Sequence, residues 1–129
     1  MVHDAARPLV TPDLINAVVD RLASDERIAG AVAAAPVTDT IKQASDDGQV
    51  QRTLDRAGLW AVQTPQAFRA DVLREALSDP DSLPEATDDA VLVERRGGRV
   101  VIHPSPAANT KVTAPIDLRV ADLLLRERE

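Results

Sequence analysis

Cysteine and tyrosine are absent from this sequence, and the aromatic side chains are Trp60 and Phe68 alone. Without cysteine there is no disulfide and no thiolate metal site, and nothing marks the chain for an oxidising compartment. With so few aromatics, the core has to be assembled from Ala, Val, Leu and Ile, whose small volumes suit helices lying close on a sheet. No apolar run approaches the roughly 18 residues that a membrane helix requires, so no membrane partner is expected. No basic stretch followed by an apolar one suggests a secretory leader, and the expected location is cytoplasmic. Positive charge is in short supply: 15 Lys and Arg against 21 Asp and Glu give a net charge of −6. That argues against nucleic acid as a partner, which depends on clustered positive charge. A phosphorylated small molecule stays open, because a few local cations dominate a pocket whatever the total. The fingerprints GxGxxG, GxxxxGK[ST] and GxSxG are missing too, which excludes the usual dinucleotide, P-loop and nucleophile-elbow signals.

What is present fits one α/β domain. The 129 residues are 44% hydrophobic and 28% charged, a soluble globular mix. Residues 2–8 read VHDAARP, an apolar residue opening into a polar loop, as at the end of a buried strand. Thr11 then caps a helix with Pro12 at its first position, and Leu14, Ile15, Val18, Val19 and Leu22 recur at helical spacing. Residues 28–37 are continuously apolar, the pattern of a strand covered on both faces in a parallel sheet. Around Ser45-Asp46-Asp47-Gly48 lies a hairpin signal with almost no apolar face. Residues 37–59 therefore read as an arm that needs another surface, such as a second subunit. A further apolar run over residues 58–68 is expected to stop at Pro65, and a helix follows over residues 70–77. Residues 79–86 read as a loop. Thr87 is expected to cap a short helix that exits at Gly97. A strand over residues 99–104 and a closing helix from Pro115, with Ile116, Val120 and Leu124 on one stripe, complete the order. Strands alternating with helices indicate an α/β sheet protein.

Several side chains suit phosphate or polyol chemistry, each with an ordinary alternative. Asp4 lies just past a strand, where α/β proteins place ligands; its carboxylate suits a metal ion, a substrate hydroxyl or simply a turn cap. Arg7, before a rigid proline, suits bidentate phosphate recognition or a surface ion pair. His3 is expected to face away from Val2 and Asp4. With His103 the only other histidine, a zinc site is not expected. Thr64, in Thr64-Pro65-Gln66, offers a hydroxyl to a ligand or marks a turn from strand to helix. Thr40, Lys42, Arg52 and Arg56 put a hydroxyl and charge on the arm, as any solvated hairpin would. Lys111 suits charge stabilisation on a transferring phosphoryl group or plain solvation.

Taken in order, the blocks VHDAARP, AAAPVTDTIK, TLDRAGLWAVQTPQAF, ATDDA and NTKVTAPIDL make the chain resemble the carboxyl-terminal half to two-thirds of 2-C-methyl-D-erythritol 4-phosphate cytidylyltransferase, over residues 2–125. The resemblance implies a Rossmann-like nucleotidyltransferase fold, mostly parallel in its sheet, with residues 1–129 as the carboxyl-terminal part of one domain. It also implies that the glycine-rich CTP-binding loop of the family precedes the segment seen here. The implied reaction moves CMP from CTP to 2-C-methyl-D-erythritol 4-phosphate and releases pyrophosphate, with Mg2+ as cofactor. By position in matching motifs, Asp4, Arg7 and Lys111 correspond to catalytic residues. Asp4, Arg7, Thr40, Arg56 and Thr64 correspond to contacts with the methylerythritol phosphate, and Asp4, Ala5 and Lys111 to contacts with the nucleotide. Asp4 corresponds to a metal ligand; Ala107 and Ala108 stand where relatives often carry a second carboxylate. Thr40 and Arg56 correspond to arm residues that enter the site of the partner in a homodimer. Two other readings compete: the related ribitol-5-phosphate cytidylyltransferase, and an incomplete chain that only dimerises.

Overall fold

In a computed structural model, residues 1–78 and 86–128 are described. The sequence pattern leads to four helices and five strands among them. Helix α1 spans Pro12–Ala23, β1 Gly30–Pro36, β2 Lys42–Ala44, β3 Val50–Thr53, β4 Trp60–Phe68, α2 Ala70–Leu77, α3 Asp89–Arg95, β5 Val100–Pro104 and α4 Pro115–Arg126. A single 3₁₀ turn, Arg56–Gly58, precedes β4. The loop expected over residues 79–86 falls outside the described residues except at Ala86. No helix among the described residues is long and apolar enough to cross a membrane.

Strand β1 is the centre of the molecule. The main sheet runs β4-β1-β5, with β1 antiparallel to β4 and parallel to β5. The α/β class stands, while the sheet is mixed rather than mostly parallel among the described residues. The apolar run of β1 fits either neighbour, because its burial comes from helices on both faces. Side chains alternate along a strand, and here the alternation sorts two cores. Ala31 and Ala33 join Leu14 and Val18 of α1 together with Ala67. Val32 joins Phe68, Ala76 of α2, and Ala90, Leu92 and Val93 of α3 on the other face. Gly30 is needed where Phe68 crosses it: a Cβ there would sit 2.6 Å from the ring's Cδ1. Val2 extends the sheet beyond β4. Its N–H donates to Gln66 O at 2.8 Å and its carbonyl accepts from Gln66 N at 3.0 Å.

Local signals placed α1 correctly. Thr11 caps it, accepting from Leu14 N, with Pro12 in the first turn. Three expectations are corrected. Strand β4 does not stop at Pro65 but runs through it to Phe68. Val32 pairs with Gln66 and Ala34 with Val62, so Gln63, Thr64 and Pro65 face Ala33 alone. Such a bulge leaves residues out of the ladder, and Pro65, which has no N–H to give, fits there. Asp88 rather than Thr87 caps α3, accepting from Val91 N. On α4, Ala121 is buried and Leu124 half-buried, while Ile116 and Val120 are 58% and 45% exposed. The inward face is thus turned away from the expected stripe.

The β2–β3 hairpin stands apart from the sheet, and all its strand residues are exposed. Gly48 N donates back to Ser45 O, and Gly48 takes the left-handed conformation at φ 83°. That is the three-residue hairpin loop with glycine at its left-handed position. Asp47 accepts from Ser45 Oγ and Gln49 N, which holds its carboxyl below the usual carboxylate range. At the other end of the molecule, Asp25 ties the entrance of β1 to β5. The Arg27 guanidinium and backbone N–H, with Arg99 beside them, lower its carboxyl to about 2. Arg69 seals the same corner, donating to Ile28 O at 2.9 Å and Asp25 O at 3.2 Å.

Candidate active site

The bulge in β4 and the loop after Val2 create the site together. Residues freed from a ladder can turn polar groups toward a neighbour, and Thr64 does so. Its Oγ1 accepts from Asp4 N at 2.9 Å. The loop closes on itself through Arg7 N, which donates to Asp4 O at 3.0 Å. A third segment arrives from far along the chain: Val112 N donates to Ala6 O at 2.7 Å, bringing Lys111 alongside. Lys111 Nζ then lies 3.2 Å from Asp4 Oδ2, and Arg7 Nε lies 3.5 Å from the same oxygen.

Asn109 fastens these segments. It is 1% exposed, and a buried amide has to find partners. Its Nδ2 donates to Gln63 Oε1 at 3.0 Å and to Thr64 O at 2.9 Å. Its backbone carbonyl accepts from Arg7 Nη1 at 2.8 Å. One buried side chain and its backbone therefore join the β4 bulge, the Asp4–Arg7 loop and the Lys111 segment.

Between them lies a cavity of about 390 Å³, in the size range of small-molecule sites. Asp4, Arg7, Thr64 and Lys111 all line it. Of Asp4, Arg7 and Lys111, Arg7 is the most buried, with its side chain 11% exposed against 35% for Asp4 and 48% for Lys111. Thr87, Asp88 and Asp89 form the facing wall. Asp88 is already committed: one oxygen caps α3 and the other accepts from Gln66 Nε2 at 3.2 Å. Because Asp88 does the capping, Thr87 is left to line the cavity.

Other residues singled out in the sequence are placed elsewhere. Ala5 is exposed on the same loop but does not line the cavity. Thr40 is exposed at the approach to β2, and Arg56 Nη1 donates to Thr38 O at the base of the arm. Neither reaches the cavity of its own chain. His3 lies outside it as well. Its ring still reaches the Thr64 hydroxyl, with Nδ1 at 2.9 Å from Oγ1. Gln63, Gln66, Asp88 and Asn109 were not foreseen as parts of the site. Two glutamines around Thr64-Pro65 in an apolar strand were the signal available, since buried amides mark a built network.

Among the described residues no group of three or more His, Cys, Asp or Glu is arranged to hold a metal ion. Mg2+ needs less from a protein when phosphates are present: one or two carboxylates and the substrate's oxygens complete its shell. Asp4 at the cavity wall fits that smaller share.

Comparison with known proteins agrees in extent and in kind. The profile of the family described as 2-C-methyl-D-erythritol 4-phosphate cytidylyltransferase matches residues 1–127. A protein of that name from Rubrobacter xylanophilus is 52% identical over all of this chain and 55% of its own length. Another from Symbiobacterium thermophilum is 49% identical over 98% of this chain and 52% of its own. The chain thus spans about half the length of the curated relatives it matches. Among solved structures, 2-C-methyl-D-erythritol 4-phosphate cytidylyltransferase from Thermus thermophilus superposes with a TM-score of 0.80 at 37% identity, over 97% of this chain and 60% of that one. The Francisella tularensis protein gives 0.83 at 30% identity, over 95% and 57%.

Proposed function

The chain belongs to the 2-C-methyl-D-erythritol 4-phosphate cytidylyltransferase family, and we propose that it builds the polyol-phosphate side of a site transferring CMP from CTP to 2-C-methyl-D-erythritol 4-phosphate. The observation that carries this reading is the meeting of Asp4, Arg7, Thr64 and Lys111 around one cavity, although they come from three separate segments.

In the proposed reaction a phosphate oxygen of the methylerythritol phosphate attacks the α-phosphorus of CTP, and the bond to the departing pyrophosphate breaks. The attacking oxygen is already anionic, so no strong base is required. Positioning and neutralisation of charge carry the rate. Asp4 and Thr64 face the hydroxyls of the polyol. Arg7 and Lys111 supply positive charge to the phosphates; Lys111, at the cavity mouth, serves the reacting group. Lys111 is held toward that position by Asp4, and Arg7 by Asn109. Asp4 would also hold Mg2+, which supplies further charge neutralisation to the phosphates when bound. The backbone of Ala5 faces the nucleotide. Thr40 and Arg56 act from the arm of a second copy. The full exposure of β2 and β3 supports that pairing, because an isolated hairpin is marginal in water. Both substrates are water-soluble phosphates, which suits a cytoplasmic enzyme.

A substrate panel tests the reading. In a protein that also carries the CTP-binding segment, with CTP and Mg2+ present, pyrophosphate release should require methylerythritol phosphate and be at least about tenfold slower with ribitol 5-phosphate, about the discrimination that one or two lost contacts give. Preference for ribitol 5-phosphate would move the chain to the other activity. Calorimetric binding of neither polyol phosphate would remove the polyol-phosphate assignment altogether.

A further inference from the structure

We propose that His3 is a positioning residue that turns the Thr64 hydroxyl into a hydrogen-bond acceptor toward the cavity. His3 Nε2 lies 3.2 Å from the backbone oxygen of Arg7, and a carbonyl can only accept. Nε2 therefore carries a ring hydrogen, and in the form with one ring hydrogen Nδ1 is the acceptor. Nδ1 sits 2.9 Å from Thr64 Oγ1, so the Thr64 hydroxyl donates its single hydrogen to His3. One lone pair of that oxygen is already taken by the Asp4 N–H at 2.9 Å. What Thr64 has left for the cavity it lines is a lone pair.

The chemistry that follows is specific. A threonine free to rotate can donate to a phosphate oxygen or accept from a hydroxyl. A threonine whose hydrogen is committed to His3 can only accept, so it meets a donor, which on a polyol phosphate is an alcohol hydroxyl. His3 touches no ligand in this arrangement, since it lies outside the cavity. It acts through Thr64, and its bond to Arg7 O also steadies the loop that carries Asp4 and Arg7. The assignment of the donor to a polyol rests on the function proposed above; the direction of the Thr64 hydrogen does not.

Two variants of an exposed side chain separate the roles. His3→Asn keeps an acceptor near the position of Nδ1. His3→Gln keeps a donor near the position of Nε2 and loses that acceptor. In the ligand-free chain, nitrogen-resolved NMR of His3 should show the Nε2–H tautomer. Calorimetric titration with 2-C-methyl-D-erythritol 4-phosphate should find His3→Asn within about twofold of the parent and His3→Gln weaker by about tenfold, the share of one hydrogen bond. Inorganic phosphate, which has no alcohol hydroxyl, should bind all three chains alike. A hydrogen on Nδ1, in either the neutral or the doubly protonated ring, would overturn the proposal. So would equal weakening in both variants, the result of a purely structural role, or equal affinity in all three chains. If the parent chain bound inorganic phosphate but not the methylerythritol phosphate, the polyol reading would fall, and the tautomer would still decide whether His3 sets Thr64.

Discussion

In a protein that also carries the CTP-binding segment, replacing Lys111 by alanine should lower pyrophosphate release by at least about a hundredfold, the scale on which removing one preorganised charge partner acts in a transition state. Lys111 Nζ is held 3.2 Å from Asp4 at the mouth of the cavity, so its charge is in place before any substrate arrives. Its side chain is 48% exposed, and a half-exposed ion pair contributes little to folding, about 0–1 kcal/mol. The variant should therefore unfold in urea within about 1 kcal/mol of the parent, with the loss confined to activity. Lys111→Arg should recover only part of the rate, because a planar guanidinium does not replace a compact ammonium at one point. Equal activity of Lys111→Ala and the parent would remove Lys111 from the chemistry.

The largest stability effect is expected at Asn109. Changing it to alanine deletes the donor that serves Gln63 Oε1 and Thr64 O, and strands both acceptors where the amide had been fully buried. Leaving buried polar groups without partners costs about 1–3 kcal/mol, so a loss of about 2–3 kcal/mol is expected from urea unfolding. Binding of methylerythritol phosphate should weaken too, although Asn109 does not line the cavity, because the β4 bulge and the Lys111 segment lose their common anchor. The two variants are thus opposite in signature: Lys111→Ala loses rate at nearly constant stability, and Asn109→Ala loses stability first. A change of less than about 0.5 kcal/mol at Asn109 would mean that the segments are held together by other contacts.

Much of this arrangement can be read from local chemistry in the sequence. Thr11 followed by Pro12 and a helical apolar stripe leaves one reading, and α1 starts there. The buried run of β1 and the exposed arm follow from their contrast in polarity. Decisions made by tertiary partners were harder to see. Thr87 and Asp88 are both good helix caps, one residue apart; the choice falls to Asp88, whose second oxygen accepts from Gln66. Pro65 looks like the end of a strand, yet a bulge opposite Ala33 absorbs it. The direction of the β1–β4 pairing is invisible in a run that is buried on both faces.

The site shows the same division. Asp4, Arg7, Thr64 and Lys111 stand in recognisable blocks of sequence, and the cavity gathers all of them. Asn109 stands in the same block as Lys111, but an asparagine there resembles any turn residue and nothing local marks it as an anchor. Its importance comes from burial, which only packing decides. Thr40 and Arg56 sit on the arm and, among the described residues, do not line the cavity of their own chain.

The most direct test of the account is a crystal structure of the chain with 2-C-methyl-D-erythritol 4-phosphate bound. It should show the polyol between Asp4 and Thr64, an alcohol hydroxyl donating to Thr64 Oγ1, and the phosphate toward Arg7 and Lys111. A ligand seated elsewhere, with the cavity holding only solvent, would contradict it.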